Sequence, residues 1–144
     1  MKDVNSSTVE KASLSFHDFH VKSCFWEYTG EDLTGDLNIE INPYGRVELE
    51  SNKFILALSC KLDIENLFRA QLEVVGFFSF SSFNEEGRSF CLNNAPAILF
   101  PHIRSYIAAL TALSGMNSIL IPALNISGLS KQLQGNLEII DAAT

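Results

Sequence analysis

NAPAILFPHIRSYIAALTALSGMNSILIPALNISGL, residues Asn94 to Leu129, is the stretch that decides how this chain folds. Leu99, Ile103, Tyr106, Ile107, Leu110 and Leu113 recur at spacings of three and four, which predicts a helix with one apolar face. Pro101 suits the first turn of that helix, where a missing N–H costs nothing, and Gly115 suits its left-handed end. Ala108, Ala109 and Ala112 form a second face whose small side chains admit close approach of another helix. Met116 to Ile126 is too apolar for an ordinary solvated loop. Ser127 reads as the N-cap of a second helix carrying Leu129, Leu133 and Leu137 at four-residue spacing, weakened near its end by Gly135. Arg104 is the only ionised side chain in the whole run. Such a segment either packs against another subunit or grips apolar partners.

Upstream the period is two. Leu14 to Tyr28 reads as a first strand with Phe19, Val21, Ser23 and Phe25 on one face and His20, Lys22, Cys24 and Trp26 on the other. Leu37, Ile39 and Ile41 mark a second strand over 36–41, and Asn42-Pro43-Tyr44-Gly45 reads as a turn. Lys53 to Ile64 and Phe68 to Phe83 are the third and fourth strands, with Glu65-Asn66 between them at hairpin spacing. GFFSFSSF, from Gly76 to Phe83, would be aggregation-prone alone and belongs at a sheet centre covered by helix. Asn84 to Gly87 reads as a polar turn. Four strands followed by two helices predict an α+β fold: a four-stranded antiparallel sheet packed against a long helix, with an apolar crossover and a shorter C-terminal helix. Residues 1–13 read as a flexible tail and 14–144 as a single domain.

Composition narrows the function. The chain has 144 residues, 47% hydrophobic and 19% charged, an apolar excess that suits subunit contacts or an adhesive surface. Its net charge of −7 and lack of a Lys/Arg cluster argue against a nucleic-acid partner. Cys24, Cys60 and Cys91 are odd in number and widely spaced, as reduced cytosolic thiols are. The N-terminal MKDVNSSTVEKAS has no apolar core of signal-peptide length and no segment reaches the length of a membrane span, so a cytoplasmic location is expected.

The residues Ile98-Leu99-Phe100-Pro101-His102-Ile103-Arg104, followed by the crossover Ile121-Pro122-Ala123-Leu124-Asn125-Ile126, resemble the SecB family of protein-export chaperones. Val21-Lys22 and Gly76-Phe77-Phe78-Ser79-Phe80 extend the likeness upstream, so that it runs from about Phe16 to Leu129. The resemblance implies an ATP-independent holdase, without cofactor, that keeps unfolded precursors soluble in apolar grooves and passes them to the SecA motor. It also implies a homotetramer built as a dimer of dimers. Client contacts are then expected from Phe25 and Trp26 in strand one, Ile119, Ile121, Leu124 and Ile126 in the crossover, and Leu133 and Leu137 in the second helix. Each of these also has a plainer reading, as a core or subunit-interface residue. Tyr106, Ala108, Ala109 and Ala112 fall to the oligomer interface.

The family's SecA-docking patch is acidic and lies on the outer sheet face. The matching positions here are Ser23, Glu27, Arg69 and Gln71, where only Glu27 keeps a negative charge. A thinned patch attracts a basic partner poorly. The alternative is therefore a relative that chaperones an antitoxin in a toxin–antitoxin pair, and a further one is a purely structural oligomer. An enzyme is not expected. His17 and His20, at odd separation on a strand, face opposite ways and share no metal; His102 reads as a packing residue; and no cysteine has an adjacent base.

Overall fold

The computed structural model describes residues 13–141; of the tail expected over 1–13, residues 1–12 lie outside them. Ser13 is already tied down, its N–H donating to Ser81 Oγ at 2.8 Å. The strands are β1 (Leu14–Tyr28), β2 (Leu37–Glu48), β3 (Lys53–Ile64), β4 (Phe68–Phe80) and β5 (Leu137–Ile140). The helices are α1 (Glu85–Ser89), α2 (Ala95–Leu113) and α3 (Leu129–Gly135), with a π turn at Phe90–Asn94 joining α1 to α2.

The sheet has the order β1-β4-β3-β2-β5. The expected four strands are present and antiparallel, but a fifth, β5, adds itself parallel to β2 through Gly45–Glu48. The expected second helix is correspondingly shorter. Asn136 ends it: its N–H reaches the carbonyls of Gln132 and Leu133, and its side-chain amide donates to Pro43 O at 3.1 Å. Leu137 is thus a strand residue, despite continuing the leucine spacing.

The turn expected at 42–45 is strand. Leu37, Ile39, Ile41, Pro43, Gly45 and Val47 keep one inward parity through it, paired with β3 throughout. Pro43 is tolerated because its carbonyl, and so its missing N–H, points toward the β5 side before that ladder begins at Gly45. The chain turns instead after Glu48, with Asn52 at φ 55°. Gly45 has a spatial reason: a Cβ there would lie 2.8 Å from Leu137, 2.9 Å from Phe54 and 3.0 Å from Leu133.

The period of two in β1 is broken twice. Register shifts between Phe16 and Asp18 and between Val21 and Ser23 leave His17 and Lys22 as bulges. Each resets the phase, so Leu14, Phe16, Phe19, Val21, Cys24, Trp26 and Tyr28 all turn toward the helical side. The expected grouping of Phe25 with Phe19 and Val21 fails for that reason.

The polar turn expected at 84–87 is a helix start, with Asn84 Oδ1 accepting from the Gly87 N–H at 2.8 Å. Helix therefore begins well before the expected position, and Pro101 lies inside α2 rather than in its first turn; Pro96 occupies that first turn. The stripe against the sheet is Leu92, Ala95, Leu99, Ile103 and Ile107, at spacings of three and four. Leu99 rests over Gly76, where a Cβ would approach to 3.1 Å. Leu113, expected on the buried face, is 88% exposed. Gly115 closes the helix as expected, at φ 83°. The Met116 N–H reaches Thr111 O and the Gly115 N–H reaches Ala112 O, and buried Met116 supplies the apolar contact of this type of C-terminus.

Candidate functional site

α2 lies along β1 and runs in the same direction. His102 stacks on Phe16 and Phe19 with ring centres 5.2 and 4.7 Å away, and further along Tyr106 meets Cys24. Burial raises both the Cys24 thiol and the Tyr106 phenol above their ordinary values. The small-residue face of α2 splits: Ala109 and Ala112 are exposed, whereas Ala108 and Tyr106 are half-buried.

After Gly115 the crossover turns back along α2, held by side chains rather than by a ladder. Ser118 Oγ donates to Ala108 O at 3.0 Å. The Ile119 N–H donates to Thr111 Oγ1 at 2.9 Å, while that hydroxyl donates to Ile107 O at 2.8 Å. Arg104 Nε donates to Ile121 O at 3.0 Å. These contacts satisfy backbone groups that a dry apolar segment would otherwise leave unpaired.

The fixed backbone sets an alternation. Ile119 and Ile121 are 5% and 3% exposed, and Leu120 between them is 75% exposed. Pro101, Arg104, Ser105, Ala108, Leu120 and Ile121 line an open groove of about 400 Å³ between the crossover and the outer side of α2. Leu120 is the groove residue that sequence reading missed. An Ile-Leu-Ile run in extended backbone must send one parity outward, but the periodicity does not say which.

The other expected groove residues are dispersed. Leu124 and Ile126 are half-buried against the core, and Leu133 is fully buried under the sheet's β2 side. Leu137 is half-buried in β5. Trp26 turns inward, while Phe25 faces the opposite side of the sheet and is 55% exposed. Phe25 therefore joins Ser23, Glu27, Arg69 and Gln71 on the outer face. There Arg69 Nε donates to Glu27 Oε1 at 2.6 Å, and its guanidinium sits 5.7 Å from the centre of the Phe25 ring. The one carboxylate retained at the four matching positions is thus paired with the cation beside it.

Cys60 and Cys91 are buried, and burial pushes both thiols up to about 12. No helix of the described residues is long and apolar enough to cross a membrane.

Comparison with known proteins places this geometry. The chain is 27% identical over 134 residues to an uncharacterized protein, MJ0357, of Methanocaldococcus jannaschii, covering 86% of each. Its fold is similar to that of the Mycobacterium tuberculosis Rv1957 SecB-like chaperone, solved in complex with a ChAD peptide from the Rv1956 HigA1 antitoxin. That match has a TM-score of 0.66 at 18% identity and covers 78% of this chain and 91% of the other. A protein of unknown function from Streptococcus agalactiae shares the fold at a TM-score of 0.52 and 9% identity, over 79% of this chain and 100% of that one. The family model described as "Preprotein translocase subunit SecB" matches residues 11–136, from just before β1 to the residue before β5, and the chain belongs to the SecB family.

Proposed function

We propose that the protein is an ATP-independent holdase that binds unfolded polypeptide segments along the groove between α2 and the crossover. Family membership supports a chaperone-type function. The observation that carries the reading is Leu120, held outward above apolar walls by a backbone already satisfied through Thr111 and Arg104. Burial of apolar area has no direction and contributes about 25 cal/mol per Å², so such a groove accepts many sequences. Each contact is weak, and several grooves in one oligomer acting on one client give avidity. Ile119, Ile121 and Leu133 then act as support, and Leu124 and Ile126 extend the apolar rim. The test is light scattering from a chemically unfolded client diluted into buffer with and without excess protein. Suppressed aggregation is expected; an unchanged trace rejects the holdase reading.

Two observations favour a dedicated client such as an antitoxin over bulk export. The similar Mycobacterium tuberculosis chaperone is in complex with a peptide from an antitoxin. The outer face that would attract a basic translocase tail has its Glu27 carboxylate engaged by Arg69. On this reading the protein works in the cytoplasm, and SecA's zinc-binding tail binds weakly. Tight, strongly salt-dependent binding of that tail in a titration would count against it.

A further inference from the structure

The helices and the crossover pack on one side of the sheet, and the described residues leave its other side bare. The ladder register arranges that bare side in rows running across β1, β4, β3 and β2. Asp18, Phe77, Ile55 and Arg46 form one row, and His20, Val75, Ala57 and Tyr44 form the next. Ser23, Glu73, Ser59 and Asn42 flank them on one side, and Ser79, Lys53 and Glu48 on the other. The two middle rows make an apolar patch. Val75 is only 8% exposed although no helix covers it, His20 meets Phe77 edge-on at 5.4 Å, and Tyr44 is 52% exposed. Opposite charges stand at the two ends of the patch, Asp18 on β1 and Arg46 on β2, both exposed. Each has a neighbour on its own strand, His20 at 3.7 Å from Asp18 and Glu48 at 3.2 Å from Arg46, and a guanidinium has further N–H donors to offer.

We propose that this face docks on the same face of a second copy of the chain, about a two-fold axis parallel to the strands and midway between β4 and β3. Such a rotation sets β4 over β3 of the second copy and β1 over its β2. Phe77 then faces Ile55 of the second copy, Val75 faces Ala57, and Asp18 faces Arg46, each contact occurring twice. Moving the axis onto β4 would set Asp18 over Ile55, and moving it onto β3 would set Arg46 over Phe77. An axis across the strands, between the two rows, keeps apolar on apolar but sets Asp18 over His20 and Arg46 over Tyr44. Of these placements, the midline one alone joins the apolar rows and opposes carboxylate to guanidinium. Aligned sheets cross by about 30°, so the rows nearest the centre carry the contact. With strands about 4.8 Å and rows about 6.8 Å apart, the four central rows cover roughly 500 Å² of each copy, or about 1,000 Å² in all. That is the size of a transient interface, so the association depends on concentration. It is independent of the groove, which lies on the helical side.

The experiment is sedimentation equilibrium of the full chain over about a hundredfold range of concentration. The average mass is expected to climb above its dilute value; a mass constant over the range, a comparison needing no variant, overturns the proposal. Ile55→Lys, with its fold checked by circular dichroism, should abolish the climb, and a climb that persists there overturns the choice of face. Asp18→Arg and Arg46→Asp should each weaken the association by about threefold to tenfold. The two residues stand three strand spacings apart within one chain, about 14 Å, so reversing both repairs no contact inside the protomer. The double reversal should nevertheless restore association to within about twofold of the unaltered chain. A double reversal that associates no better than either single one overturns the midline axis.

Discussion

Ile119, Leu120 and Ile121 have nearly the same chemistry and opposite exposure, because the backbone alternates and the Thr111 and Arg104 bonds fix its phase. Leu120→Ser should leave the unfolding free energy within about 0.5 kcal/mol of the parent while reducing aggregation suppression, since it removes an exposed side chain. Ile119→Ala should cost about 2–4 kcal/mol, because it empties a filled core position. Denaturant titration alongside client light scattering separates the two, and a Leu120→Ser chain with undiminished suppression would remove Leu120 from the groove. The buried thiols make a different prediction. Cys60 and Cys91 are held protonated to about 12 in the fold against a reference of 9.0, so above pH 9 the unfolded chain releases protons that the native chain keeps. Stability contributed by each thiol is full below pH 9 and declines as pH rises toward 12, by up to about 1.4 kcal/mol per unit for each. Alkaline unfolding curves of the Cys60→Ala and Cys91→Ala chains should each lack one such slope.

At the scale of elements, the crossover is pinned by hydroxyl chemistry, and the pin is testable. Thr111 is fully buried and its Oγ1 both donates to Ile107 O and accepts from the Ile119 N–H. Thr111→Val keeps the shape and strands that N–H, for an expected loss of about 1–3 kcal/mol. Amide hydrogen exchange at Ile119 should quicken while α2 stays protected; equal protection in both chains would mean that the bond does not hold the segment. The same scale shows what the sequence could and could not say. β3 matched its expected bounds, because Phe54, Leu56, Leu58, Cys60, Leu62 and Ile64 alternate without a break. β1 was legible in extent but not in facing, since each bulge adds one residue that local periodicity cannot locate. β5 was hidden by leucine spacing: Leu137 fits a helix repeat, and only the fold reveals that Gly45 leaves room for Leu133 and Leu137. Gly45→Ala should therefore loosen β5 and α3 first, seen as faster proteolysis at the C-terminal end and a loss of about 1–3 kcal/mol.

For the whole molecule, the exposed side of α2 beyond the groove carries Ala109, Ala112 and Leu113, none of them charged. If this face assembles the dimer of dimers that the family resemblance implies, the native mass is about four times that of the chain. Ala109→Arg should lower that mass without unfolding the protomer, because Ala109 is exposed within it; a tetramer that tolerates this arginine would move the interface elsewhere. The family was legible at this scale because the Ile98–Arg104 and Ile121–Ile126 segments keep their order and distance. The groove was less so, since burial is a property of the finished packing.

The two bulges of β1 have a consequence beyond facing. β1 is an outermost strand, and one running unbroken from Leu14 to Tyr28 beside the aromatic β4 would offer any extended chain a straight template of free N–H and C=O groups. His17 and Lys22 cut that template into short, mutually twisted lengths, and Lys22 adds a charge at the break. An edge so interrupted offers no long straight register on which a second extended chain could add, strand upon strand, into a fibre.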